Sequence, residues 1–128
     1  MFDIPILRWG QVYESMEKQP VVHFDTGEAL AQLHQATGMQ AKLDLKKAQK
    51  ARDALRQLSI PQLIDICAKA ADLYLNATLP CGNGSLTPAE FCRMQSATTG
   101  LPEHMCAGNM RKNAFVLSHM GEVIDALT

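Results

Sequence analysis

The stretch VVHFDTGEALAQLHQATGMQAKLDLKKAQKARDALRQL, residues 21 to 58, changes its periodicity halfway along, and that change decides the fold. Val22, Phe24, Leu30 and Leu33 place apolar side chains on both sides of Asp25-Thr26-Gly27-Glu28. Gly27 offers the positive φ that a tight reversal needs and Asp25 can accept from the turn backbone, so the first half predicts a β-hairpin. Thr37-Gly38-Met39-Gln40 then has capping-box spacing, in which the Thr hydroxyl and the Gln amide each satisfy a backbone N–H at a helix start. From there Ala41, Leu45, Ala48, Ala51, Leu55 and Leu58 recur at three-and-four spacing, with Lys42, Lys46, Lys47, Lys50 and Arg56 on other faces. The spacing predicts one long amphipathic helix ending at Gln57.

Upstream, Ile4, Ile6, Leu7, Trp9, Val12 and Tyr13 surround Gly10, the pattern of a first, weaker hairpin. Downstream the chain reads as helix. Ser59-Ile60-Pro61-Gln62 repeats the capping-box spacing with a first-turn proline. The helix it opens is apolar over most of its circumference and calls for cover on two sides. Leu79 to Leu86 is Gly/Pro punctuation and predicts an exposed loop. Thr87-Pro88-Ala89-Glu90 is the strongest helix start in the chain, and Gly100 and Pro102 close that helix and open the last one, running towards Leu127. In it Met110, Ala114, Leu117, Gly121 and Ile124 form one seam at spacings of four and three. The expected fold is mostly α: extended segments and hairpins over 1–36, four helices over 37–128, one structural domain.

At 128 residues with 47% apolar and 20% charged residues the composition is globular, and no run approaches the roughly 20 apolar residues of a membrane helix. Net charge of −1 with scattered Lys and Arg gives no basic stripe, so neither nucleic acid nor membrane is an expected partner. No signal-peptide pattern opens the chain, which points to the cytoplasm, where the four cysteines stay as thiols. Asn76-Ala77-Thr78 and Asn83-Gly84-Ser85 are then sequons by coincidence.

Asp25-Thr26-Gly27 matches the aspartic-protease triplet, and a single copy would suit a homodimeric retroviral-type enzyme. Those proteases are nearly all β, whereas about 90 residues of helix pattern follow here, and turn chemistry accounts for the three residues. Cys92, His104 and Cys106 lack the tight pairing that zinc ligation favours. His23 and His34 read as hairpin residues and His119 as a helix-face residue. No Ser-His-Asp or Cys-His pattern, phosphate loop or dinucleotide fingerprint stands out. No catalytic, cofactor-binding or metal-binding residue is therefore assigned.

The order of these elements resembles the N-terminal segment of the aldehyde dehydrogenase superfamily over nearly the whole chain. Gly10 to Ser15 stands where that family has G-x-x-x-x-S, and Phe24-Asp25-Thr26-Gly27-Glu28 where it has N-P-x-T-G-E. Ala48 to Ala54 occupies the place of a helical A-x-x-A segment. Ala68-Lys69-Ala70-Ala71-Asp72-Leu73 looks like an R-x-A-D-L stretch, and Thr98-Thr99-Gly100-Leu101-Pro102 looks like E-T-G-K-P. The hairpin proline is absent, Thr98 and Leu101 replace Glu and Lys, and 79–86 looks like an insertion. These departures imply a divergent branch, nearer the acyl-CoA reductases of the superfamily. The resemblance implies an NAD(P)-dependent oxidoreductase in which these 128 residues pack on the cofactor domain, while the nucleophilic cysteine and the NAD(P) site lie outside them. It also implies self-association when the partner domain is missing. A free-standing helical interaction module is the competing expectation.

Overall fold

The computed structural model describes Met1 to Thr128 as two compact units, Met1–Gln57 with Cys81–Gly84, and Leu58–Pro80 with Ser85–Thr128. The first holds β1 (Phe2–Ile4), β2 (Ile6–Arg8), β3 (Gln11–Tyr13), β4 (Lys18–Val22), β5 (Ala29–His34), α1 (Gly38–Leu45) and α2 (Ala48–Leu55). The expected main hairpin is β4–β5, antiparallel with Lys18 opposite His34 and Val21 opposite Ala31. Gly27 has φ +73° in its turn. Asp25 does not act as the turn acceptor; the His23 imidazole does, its Nδ1 accepting the N–H groups of Asp25 (3.2 Å) and Thr26 (3.4 Å). The weaker hairpin is β2–β3, reversed by Trp9 and Gly10, both at positive φ. β1 was not expected from the pattern: it pairs parallel with β5, Asp3 beside Gln32, and completes a sheet of order β1-β5-β4.

Pro20 suits this arrangement. Gln35 N–H donates to Glu17 O, so the hydrogen-bonded pairs of the ladder continue at Gln19–Leu33 and Val21–Ala31. Pro20 then directs its donor-less nitrogen to the open side of an edge strand, where it discourages pairing with another chain.

The single helix expected over 37–57 is two. Thr37 and Gln40 form the capping box as read, but Lys47 N–H turns back to Asp44 O at 2.9 Å and the helix restarts at Ala48. A continuous helix would stack Lys42, Lys46 and Lys50 on one face at four-residue spacing, a like-charge ladder that the break relieves. Neither α1 nor α2 contains a buried residue.

The second unit is built from α3 (Ile60–Asn76), the hairpin β6 (Leu79–Cys81) and β7 (Gly84–Leu86), α4 (Pro88–Thr99), α5 (Glu103–Ser118) and α6 (Met120–Leu127). The hairpin replaces the expected loop, and its tip, Cys81–Gly84, counts with the first unit. The last helix divides at His119. Ser118 Oγ–H and His119 Nδ1 both turn to the Phe115 carbonyl, at 2.9 and 2.7 Å, and compete with the helical ladder there. The seam nevertheless faces inward: Met110 and Ala114 are buried, Leu117, Gly121 and Ile124 half-buried. Cys92, Cys106 and Met110 form the core, with Tyr74 and Phe91 meeting edge to face at 6.0 Å beside it. The architecture is mixed α/β, with six helices and three small sheets instead of four helices and hairpins. The apolar helix expected to be covered on two sides, α3, packs on α5, α6 and α4 and buries only Ala71.

At the start of α4, Thr87 Oγ accepts Glu90 N–H (3.3 Å) while Glu90 Oε2 accepts both the N–H and the hydroxyl of Thr87, at 2.8 and 2.7 Å. These bonds, the backbone one first, hold the Glu90 carboxyl below its usual range. Thr87→Ala is expected to cost about 1 kcal/mol in a denaturant titration.

Candidate functional site

Three groups of side chains stand out, two in the first unit and one in the second. In the first, Asp3, Ser15, Lys18 and His34 meet at the corner of the sheet. His34 is buried, and its Nδ1 accepts Ser15 N–H at 2.7 Å. That leaves the ring proton on Nε2, 3.2 Å from Asp3 Oδ1. Lys18 Nζ caps the same carboxylate at 3.1 Å. These are the residue types of a serine-hydrolase triad, but His34 engages the Ser15 backbone, and the Ser15 hydroxyl accepts from Glu17 N–H at 3.1 Å. The cluster therefore fixes the chain entering β4 and offers no activated nucleophile.

The second group clamps the β2–β3 hairpin to α1. The Arg8 guanidinium grips Asp44 with two bonds, Nε to Oδ2 at 2.7 Å and NH2 to Oδ1 at 2.8 Å, and lies 4.7 Å over the Tyr13 ring. Trp9 Nε1–H adds a third bond to Asp44 at 3.1 Å, and Gln40 donates to the Tyr13 hydroxyl at 2.7 Å. Trp9 sits at φ +55°, a cost that this indole bond helps to hold in place. All the acceptor capacity that Asp44 shows is spent within the clamp.

In both groups the carboxyl is held below its usual range, Asp3 by the Lys18 ammonium and then His34, Asp44 by Arg8 and then the Trp9 N–H, while Asp44 raises Arg8. A folded-state pKa below the unfolded one gives stability that is present above the ordinary carboxylate range and lost as pH falls through it. Melting temperature is expected to fall modestly as pH drops below about 4, and Asp44→Asn to flatten that slope; a variant with the wild-type slope would remove Asp44 from its cause.

The third group is a pair of open grooves, one between α3 and α5 and the other where α3, α4 and α5 meet. One, of about 440 Å³, runs over Ala68, Ala71, Leu75, Ala114 and Phe115. The other, of about 350 Å³, lies over Cys92, Ala107 and Met110. Arg111 edges both and makes no hydrogen bond or ion pair. Asp72 and Asn76 bind each other at 2.8 Å on the opposite rim.

The residues weighed from sequence are scattered. Asp25 is exposed at a hairpin turn, Cys92 and Cys106 enter the core, and His104 is exposed on α5. Cys92 Sγ–H points to Met110 Sδ at 3.2 Å, and all four cysteines are free thiols. No three His, Cys, Asp or Glu side chains converge as a metal would require, and no helix is long and apolar enough to cross a membrane. Sequence reading missed the Asp3–His34 and Arg8–Asp44 clusters because each joins residues more than thirty positions apart.

What the surface offers most of is uncovered apolar area. The chain exposes 9248 Å². A compact monomer of its 14.1 kDa would expose about 6,700 Å², and even two wholly separate compact units of half that mass about 8,100 Å². Only six apolar residues are buried, and of these the first unit has Ala31 alone. No protein-family model, curated protein or solved structure matches the chain.

Proposed function

We propose that these residues are the non-catalytic N-terminal α/β segment of an NAD(P)-dependent oxidoreductase resembling the aldehyde dehydrogenases, a divergent, acyl-CoA-reductase-like member acting in the cytoplasm. The ordered motifs from Gly10 to Pro102 support the family. The observation that carries the docking role is α1 and α2: two eight-residue helices with no buried residue, exposing Leu45 (70%) and Leu55 (57%). Helices shorter than about 12 residues are marginal in water without tertiary packing. Their apolar face is the surface that the cofactor domain of the parent enzyme covers, and alone the chain associates with itself. Oxidising an aldehyde by this route takes a thiolate attacking the carbonyl carbon, donors for the resulting oxyanion and a dinucleotide receiving hydride. The nucleophilic cysteine and the cofactor site are assigned to the rest of that enzyme.

The reading frame beyond Thr128 tests this. A continuation with a glycine-rich strand-to-helix turn and a later nucleophilic cysteine supports the proposal, and a stop codon there turns the reading to a free-standing helical interaction module. Calorimetric titration of the chain with NAD and NADP is expected to show no binding; saturable micromolar binding of either would overturn the placement of the cofactor site.

A further inference from the structure

Nothing in the first unit buries α1 or α2, and their side chains are sorted by charge as well as by hydropathy. From Lys42 to Arg56 the chain carries six basic and two acidic residues, a net +4 that leaves −5 on the remainder of a chain whose total is −1. The overall charge conceals this asymmetry. Both acids face away from the open side. Asp44 turns to the β2–β3 hairpin, where Arg8 grips it, and Gln40 beside it donates to Tyr13. On the outward side of α1, Met39 (73% exposed) and Leu43 (48%) follow at a spacing of four, with Lys42 and Lys46 next to them. In α2, Ala48, Ala51 and Leu55 form an exposed strip at spacings of three and four. At about 100° per residue, Arg52 and Arg56 run along one edge of that strip and Lys47 and Lys50 along the other. Asp53, two residues and about 200° from Leu55, lies at the opposite pole, where it accepts from Gln49 at 2.8 Å.

We infer that α1 and α2 dock on the surface of an anionic lipid bilayer, with Met39, Leu43 and Leu55 at the boundary between headgroups and acyl chains and the Lys and Arg side chains reaching the lipid phosphates. An apolar strip edged by cations, with acid on the far side, suits a helix lying in the plane of a membrane. The stems of Lys and Arg bury along the acyl boundary while their charged heads stay in water. Clusters of four to eight basic residues on such a helix are drawn to anionic lipid. The sorting favours lipid over a nucleic acid, whose phosphates match the cations and leave Met39, Leu43 and Leu55 in water. It also supplies the burial that two eight-residue helices lack in solution. A bilayer and the cofactor domain proposed above compete for the same face. The inference therefore concerns the chain with α1 and α2 uncovered, and it does not rest on the oxidoreductase reading.

Co-sedimentation of the whole chain with vesicles tests it. The chain is expected to pellet with phosphatidylcholine vesicles that contain phosphatidylserine and not with phosphatidylcholine alone, and to be released by added salt. Its circular dichroism spectrum is expected to gain helix on binding. Lys46→Gln combined with Lys50→Gln is expected to weaken binding at least about tenfold. Leu55→Gln keeps every charge and is expected to weaken it about tenfold, whereas Gln49→Leu, on the opposite side of α2, leaves it unchanged. All four positions are exposed, so the spectra of the variants without vesicles should match the wild type. No binding to anionic vesicles, equal binding to neutral ones, Leu55→Gln that binds as well as wild type, Gln49→Leu that binds more tightly, or duplex DNA held as tightly as the anionic vesicles would each overturn the proposal. The reading frame beyond Thr128 decides the oxidoreductase reading and leaves these results unaltered.

Discussion

Gly82→Ala is expected to destabilise the chain more than alanine at any other glycine, by about 3 kcal/mol or more. Gly82 turns the β6–β7 hairpin at φ +58°, and an added Cβ would lie 2.0 Å from Asp3 O and 2.7 Å from Asp3 C. The obstacle is β1 backbone, which is paired along β5 and cannot step aside. Left-handed φ alone costs about 1 to 2 kcal/mol, and the clash adds the loss of tip contacts, among them Asp3 N–H to Asn83 Oδ1 at 3.0 Å. Gly27→Ala is the control. Its φ is +73° with nothing within 4 Å of the new Cβ, so it carries only the backbone cost. Thermal melts should separate the two by on the order of 10 °C; equal shifts would mean that the hairpin tip does not rest on β1.

Met110→Ala is expected to cost about 3 kcal/mol. Met110 is 3% exposed, packs with Cys92 and Cys106, and is ringed by Tyr74, Leu75, Phe91 and Ala107. The groove beside it already opens the packing on one side, so little can collapse into the space left. Because so few side chains are buried, losing one of the largest removes a sizeable share of the core. Leu127→Ala, at an 81% exposed position, should change stability by only a few tenths of that. The comparison is read by urea titration: similar midpoints for the two variants would place the core elsewhere.

Much of the local structure was legible because its causes are local. The capping boxes at Thr37, Ser59 and Thr87 and the turn at Gly27 each involve groups within four residues, and the structure has all of them. The inward seam of Met110, Ala114, Leu117, Gly121 and Ile124 followed from helical period alone, even though the helix breaks at His119. That break, and the one at Lys46–Lys47, lay outside the pattern's reach because periodicity records which face is apolar and not whether the backbone is continuous. The loop expected at 79–86 is a strand pair: Gly82 and Asn83 mark the reversal that the Gly/Pro punctuation announced, and the residues on either side of it pair as β6 and β7.

The candidate sites divide the same way. The sequence determined that α3 is apolar over most of its circumference, since hydropathy at helical spacing is a property of the chain itself. Only the tertiary structure decided which side α5 covers and which side is left open. Likewise Asp3, Arg8, His34 and Asp44 are unremarkable in sequence, and the parallel pairing of β1 with β5 and the docking of the β2–β3 turn on α1 bring them together. Contacts at long sequence separation depend on how whole elements pack, and no local period or spacing encodes that.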